Sequence, residues 1–250
     1  MNRYHISISF GSNFLAYRLI KGGCIIFILA AGMLSLLGCD RRQPRIQKKT
    51  FFVMGSIASV SAPESQIRNF NKFVTILTNR MYALECKFSI YKPESDISRL
   101  NALAGRSLLV VSPETLSLLE LSKHYYKISN GAFDVTVGPL LYAWGFRDKK
   151  PLQHALTERE LSPLLEQVGS AHIILSGRRA FLDKENVKVD LGGIAKGYAV
   201  DFCCQTLLEY GISNALVDLG GNIRVSPSSR LVRVWRIGVC NPFDTNLSLG

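Results

Sequence analysis

The stretch Val189-Asp190-Leu191-Gly192-Gly193-Ile194-Ala195-Lys196-Gly197-Tyr198 carries the densest chemical signal in the chain. A buried, strand-like run ends in an aspartate, two glycines allow close backbone approach, and a helical pattern with a lysine in its first turn follows. Free amides at a helix start, the positive end of its dipole and an ammonium group together suit a phosphate or pyrophosphate. The stretch is neither a Walker loop nor a Rossmann turn, since G-x-x-x-x-G-K-[ST] and G-x-G-x-x-G are both absent. A tight strand-to-helix turn with a surface lysine would leave the same letters, so these ten residues alone leave both readings open.

A second stretch runs from Gly131-Ala132-Phe133-Asp134-Val135-Thr136-Val137-Gly138-Pro139-Leu140 to Trp144-Gly145-Phe146. Phe133 and Trp144 bring flat apolar surface near the Asp134 carboxylate, which suits a planar heteroaromatic ring with polar edges. The competing reading makes Phe133, Val135 and Trp144 core and Asp134 a turn cap. In a third stretch, Phe88 to Asn101, Tyr91 sits in a proline-bounded loop where it could stack on a ring or lie half-buried, while Ser95 and Asp96 read as caps of the next turn. The histidines His5, His124, His154 and His172 show no metal-ligand spacing, and G-x-S-x-G is absent, which argues against a hydrolase triad.

These residues need elements to position them. Thr50 to Val60 reads as a strand, and Ile67, Phe70, Phe73, Val74, Leu77, Met81 and Leu84 form the stripe of an amphipathic helix. Ser89 to Asn101 reads as a loop. A second helix opens at Ser112-Pro113 and closes at Asn130-Gly131, and a third runs from a capping box at Thr157 to Gly169. Short apolar runs between Ala171 and Asp190 read as strands, a fourth helix spans about Ile194 to Tyr210, and strands at Ala215–Leu219 and Arg233–Cys240 follow. Without regular alternation the fold class is α+β, that is mixed α/β, rather than doubly wound. Asp-Leu-Gly-Gly occurs at 190–193 and again at 218–221, read as two similar strand-to-turn exits.

The formal charge of +11 does not indicate a nucleic-acid binder, because eight of the 30 cations but one of the 19 acids fall in residues 1–49. Arg18 and Lys21 precede the apolar run Cys24–Leu37, which is short for a membrane span, so residues 1–38 read as a secretory signal. Its ending, Leu36-Leu37-Gly38-Cys39, resembles a lipobox, which makes Cys39 the expected lipidation site. An uncleaved signal anchor from Gly22 to Gly38 is the alternative. Asp40 resembles an inner-membrane retention signal. Residues 39–49 then form a basic tether and residues 50–250 the domain, lipid-anchored to the cell inner membrane and facing the periplasm. Cys86, Cys203, Cys204 and Cys240 remain in the mature domain, with one disulfide conceivable in that compartment.

Met54-Gly55-Ser56, the Tyr91 loop, the Gly131–Pro139 run, Trp144-Gly145-Phe146, the Asp190–Tyr198 turn and Ala215–Asn222 together resemble the ApbE family in identity and order, over roughly residues 50 to 243. The resemblance implies an ApbE-type fold and Mg²⁺-dependent transfer of FMN from FAD to a threonine hydroxyl of an acceptor protein, with release of AMP. The expected acceptor is a flavoprotein subunit of a membrane redox complex. Carried over position by position, Met54, Tyr91, Ala132, Phe133, Asp134, Asp190 and Lys196 would contact FAD, and the Gly193 carbonyl would be a metal ligand. Ser56 stands where the family usually has threonine.

Family members continue into a His-x-x-Asp-Pro-x-Thr-Gly segment and a late Asp/Thr pair that completes the metal site, whereas here no histidine follows His172. The resemblance therefore implies a chain shortened at its C-terminus, with its catalytic base and remaining metal ligands in the absent part. A catalytically incomplete flavin-binding lipoprotein and an FAD pyrophosphatase that uses water as nucleophile are the competing readings.

Overall fold

The computed structural model describes residues 45–66, 70–147, 154–227 and 235–248, all within the unit Pro44–Gly250. The expected signal peptide and Cys39 lie outside the described residues.

The described residues open on a hairpin rather than on one strand. Strands β1 (Ile46–Val53) and β2 (Ser56–Pro63) pair antiparallel with Val53 opposite Ser56, so Met54 and Gly55 form the whole turn. Both have positive φ, 51° and 66°, the geometry that matches strand twist in two-residue hairpins. Methionine is not a turn former, which hides this turn from a sequence reading. Strand β1 also takes in Ile46 to Lys49, so the strand begins four residues before the expected start at Thr50. Residues whose backbone is paired along β2 cannot serve as a loose tether.

Helix α1 (Phe70–Phe88) buries Phe70, Phe73, Val74, Leu77, Met81 and Leu84, the expected stripe, while Ile67 lies outside the described residues. The expected loop from Ser89 contains a helix, α2 (Asp96–Ala102), capped by Ser95, whose Oγ accepts from the Ser98 amide at 3.0 Å. Seven residues are too short for periodicity to register. A two-residue strand, β3 (Leu109–Val110), leads to α3 (Pro113–Ile128), which Ser112 caps as expected. Asp96 receives the Ser112 amide (2.9 Å) and the Thr115 hydroxyl (2.7 Å), so its carboxylate ties α2 to the start of α3.

Helix α4 (Gly138–Ala143) is short, and α5 (Glu158–Leu165) starts at the Thr157–Glu160 capping box. Strands β4 (Ile173–Ser176) and β5 (Arg179–Leu182) form a hairpin that continues to β3, giving an antiparallel sheet in the order β3-β5-β4. Helix α6 (Ala195–Glu209) precedes β6 (Leu216–Leu219) and β7 (Asn222–Val225), which complete a second sheet in the order β1-β2-β6-β7. Helices α1 and α6 pack on each other and on that sheet, α1 against β1 and α6 against β6 and β7. Their contact surface holds Leu77, Met81, Ala199, Cys203 and Leu207 beside Val60 and Val217, all excluded from water.

Two expected strands change character. Residues 187–191 make one parallel bridge, Lys188 to Val137, because the Asn101 side chain takes both hydrogen-bonding groups of Val189. Of Arg233–Cys240, residues 235–239 are irregular, and Cys240 opens the small hairpin of β8 (Cys240–Asn241) and β9 (Asp244–Ser248). The two Asp-Leu-Gly-Gly copies also differ: the second turns β6 into β7, whereas the first leaves an irregular segment and enters α6. Cys86, Cys203, Cys204 and Cys240 are all free thiols. Among the described residues no helix is long and apolar enough to cross a membrane.

Candidate functional site

The three stretches singled out in the sequence meet along residues 187–193. From α2, Asn101 donates its amide to the Val189 carbonyl (2.8 Å) and accepts the Val189 N–H (2.7 Å). From the Gly131–Pro139 run, the Val135 carbonyl accepts the Asp190 amide (2.7 Å) and the Gly138 amide reaches the Lys188 carbonyl (3.1 Å). Gly138 is required there, since a Cβ would overlap the Lys188 carbonyl oxygen. Backbone and amide bonds thus hold an otherwise unpaired segment straight and deliver Asp190 to the mouth of α6.

At that mouth the amides of Ile194 and Ala195 both donate to the Leu191 carbonyl (3.0 and 2.8 Å). The Lys196 and Gly197 amides, in the first helical turn, have no intrahelical acceptor. Fifteen residues of helix stand behind them, so this end carries the positive pole of a full dipole. Lys196 adds its ammonium, which has no hydrogen-bond or ion-pair partner among the described residues.

A cleft of about 490 Å³ opens over this mouth, lined by Met54, Tyr91, Asp190 and Lys196 together with Glu85, Lys92, Arg147 and Gly192. Met54 arrives on the β1–β2 turn and is tied down by its own amide, which donates to Glu85 Oε2 (3.1 Å). The Tyr91 ring is 67% exposed, so a face is free for stacking. Lys92 lies over the Tyr82 ring and reaches its hydroxyl at 3.4 Å, a hydrogen bond that raises the lysine above its ordinary value and keeps it charged. The Asp190 side chain is 6% exposed and satisfied on both oxygens, by the Gly192 amide (2.8 Å) and by the Arg147 guanidinium.

The remaining expected site residues lie elsewhere. Phe133 and Gly193 line a second groove on the other side of the α6 mouth, with Tyr125, Tyr198, Asp201 and Asn222. Phe133 there stands edge-on to Tyr125 at 6.2 Å, and a Cβ on Gly193 would come within 3.3 Å of the Phe133 ring. Ala132 is exposed and lines neither opening. Asp134 also lines neither, and its carboxylate caps a turn by accepting the Thr136 amide (2.8 Å) and hydroxyl (2.6 Å).

Arg147 and Glu85 were not expected. Arg147 directly follows Trp144-Gly145-Phe146, so proximity to that stretch was the available signal, while Glu85 on α1 carried none. The donor set for a magnesium ion is thin: no group of three His, Cys, Asp or Glu gathers among the described residues, and a lone Gly193 carbonyl cannot hold a hard cation. The residues described do not by themselves fit the metal that the resemblance implies.

A model of the ApbE family matches residues 54–249, from the Met54 turn through every converging segment. The chain belongs to the ApbE family. Among its relatives is the FAD:protein FMN transferase of Vibrio cholerae, 29% identical over 217 residues, covering 86% of this chain and 64% of that protein. That of Salmonella typhimurium is 28% identical over 232 residues, 88% and 66% of the two chains. The solved flavin transferase ApbE from Vibrio cholerae superposes with a TM-score of 0.73 at 28% identity, over 79% of this chain and 64% of the other. The ApbE protein of Thermotoga maritima gives 0.70 at 28% identity, over 80% and 65%. This chain thus spans just under two thirds of the length of these ApbE relatives. The mixed helix-and-sheet architecture expected from the sequence is the ApbE flavin transferase fold.

Proposed function

We propose that this chain is the flavin-nucleotide-binding part of an FAD:protein FMN transferase. The observation that carries the reading is the convergence of Met54, Tyr91, Asp190 and Lys196 on one cleft at the mouth of a long helix, in a member of the ApbE family. In the proposed reaction an acceptor threonine oxygen bonds to the FMN phosphorus of FAD. The bond from that phosphorus to the bridging oxygen breaks, AMP departs with the electron pair, and the hydroxyl proton is released. Cleavage of this kind asks the protein for positioning and charge stabilisation rather than covalent help. Tyr91 offers a stacking face, and the α6 amides with Lys196 face the charge that develops on the phosphate oxygens.

Magnesium dependence is part of the proposal. The acceptor is proposed to be a membrane-associated flavoprotein subunit. Lipidation at Cys39 would hold the enzyme beside it on the periplasmic face of the inner membrane.

Incubating the purified chain with FAD, Mg²⁺ and a threonine-containing acceptor tests the reading. Flavin fluorescence on the acceptor in a denaturing gel, with one AMP released per flavin attached, is the expected result. FAD that binds without turnover would instead identify a flavin-binding protein, a second reading to which the thin donor set among the described residues points. AMP released without acceptor would identify a pyrophosphatase.

A further inference from the structure

Arg147 sits at the centre of the cleft, yet neither the motif pattern nor the family resemblance drew attention to it. Its Nη2 meets Asp190 Oδ2, and its Nη1 donates to the Tyr91 hydroxyl at 3.1 Å. The guanidinium lies 5.8 Å from the Tyr91 ring centroid and against Gly192, where a Cβ would come 3.6 Å from Nη2. It therefore bridges a stacking residue, the buried carboxylate and the glycine turn that opens α6.

Two contacts leave a five-donor guanidinium with capacity to spare. The Nε proton is buried and has no acceptor among the described residues, which is costly for a charged donor unless a further acceptor arrives. The Arg147 side chain is 19% exposed and lines the cleft with Lys92 and Lys196, so three cations face two acids. Both acids are already engaged, Glu85 by the Met54 amide and Asp190 by Arg147 itself. The excess is positive and suits a polyanion.

We infer that Arg147 is a phosphate-binding residue of the flavin-nucleotide cleft. Asp190 and Tyr91 hold its planar fork in place while its remaining donors take oxygen atoms of the nucleotide's phosphates. An arginine suits this better than a lysine, because a fixed fork can hold a carboxylate on one edge and phosphate oxygens on another. The inference rests on the flavin-nucleotide reading above and adds a third cationic arm to the helix mouth and Lys196.

Riboflavin, FMN and FAD carry no phosphate, one phosphate and a diphosphate, so their affinities for the full chain in detergent, read by flavin fluorescence, separate phosphate contacts from ring contacts. R147K preserves the charge beside Asp190 and should fold with an unchanged melting temperature. It is expected to weaken FMN and FAD binding by about tenfold while leaving riboflavin within about twofold. R147A should do at least as much and should flatten the dependence of FAD affinity on salt concentration. A merely structural arginine would weaken all three ligands together, or be fully rescued by lysine, and either result overturns the inference. If both variants keep the wild-type preference for FAD over riboflavin, Arg147 is not a phosphate contact although the cleft is. If the wild-type chain shows no such preference, the phosphate reading of the helix mouth fails and this inference with it.

Discussion

Met54 holds a left-handed backbone, φ 51°, that a side chain with a Cβ adopts at a cost of roughly 1–2 kcal/mol. The cost is met at the edge of the cleft, where the thioether lines the wall and the Met54 amide is held by Glu85. Strain of this kind is retained where a side chain has a task. Met54→Gly relieves it, minus the greater flexibility of glycine in the unfolded chain, so urea unfolding should show a net gain of roughly 0.5–1 kcal/mol. The same variant should bind FAD more weakly, having lost a wall of the site. A loss of stability would show that the Met54 side chain contributes more packing than its backbone costs. Nothing at the level of residue type announces this turn, since Met-Gly is not a hairpin signal; the strand residues on either side were legible and the break between them was not.

At the scale of elements, the Asp190 segment depends on a helix that the sequence pattern passes over. Asn101 on α2 replaces a neighbouring strand by donating to and accepting from Val189, which is itself buried. Asn101→Ala leaves an N–H and a carbonyl without partners in the interior, and each such group costs about 1–3 kcal/mol. The expected result is a loss of roughly 2–6 kcal/mol on urea titration, with FAD affinity falling in parallel because Asp190 loses its support. A loss below about 1 kcal/mol would mean that water or a backbone group fills in for the amide. The long helices α1, α3 and α6 were readable because their stripes and caps repeat within a few residues. Helix α2 and the 187–191 segment were not, since one is too short to show a period and the other is straightened by a side chain from elsewhere in the chain.

For the whole molecule, the union of the two long helices with the four-stranded sheet sets the stability of everything around the cleft. Cys203 and Cys204 lie in that union, and both are buried. Burial pushes the Cys203 thiol far up and the Cys204 thiol to about 11, so at pH 8 both remain protonated and poor nucleophiles. Cys240 is exposed. Iodoacetamide at pH 8 should therefore label Cys240 in the native protein and reach Cys203 and Cys204 only after unfolding in urea, with mass spectrometry as the readout. Labelling of Cys203 or Cys204 under native conditions would show that α6 detaches locally from the sheet, and with it the mouth of the proposed phosphate site.

What the sequence determined by itself is what short-range chemistry can encode: the apolar stripes of α1 and α6, the serine and threonine caps, and a glycine pair followed by Lys196 at a helix start. Each is set by residues within about a turn of one another, where spacing alone decides the outcome. The tertiary structure alone decided the membership of the site. It brought Arg147 and Glu85 to the cleft, sent Phe133 and Gly193 to the groove on the far side, and turned Asp134 back onto Thr136. Which way a side chain points at such positions follows from hydrogen bonds and packing between segments far apart in the chain, and no local pattern carries that information.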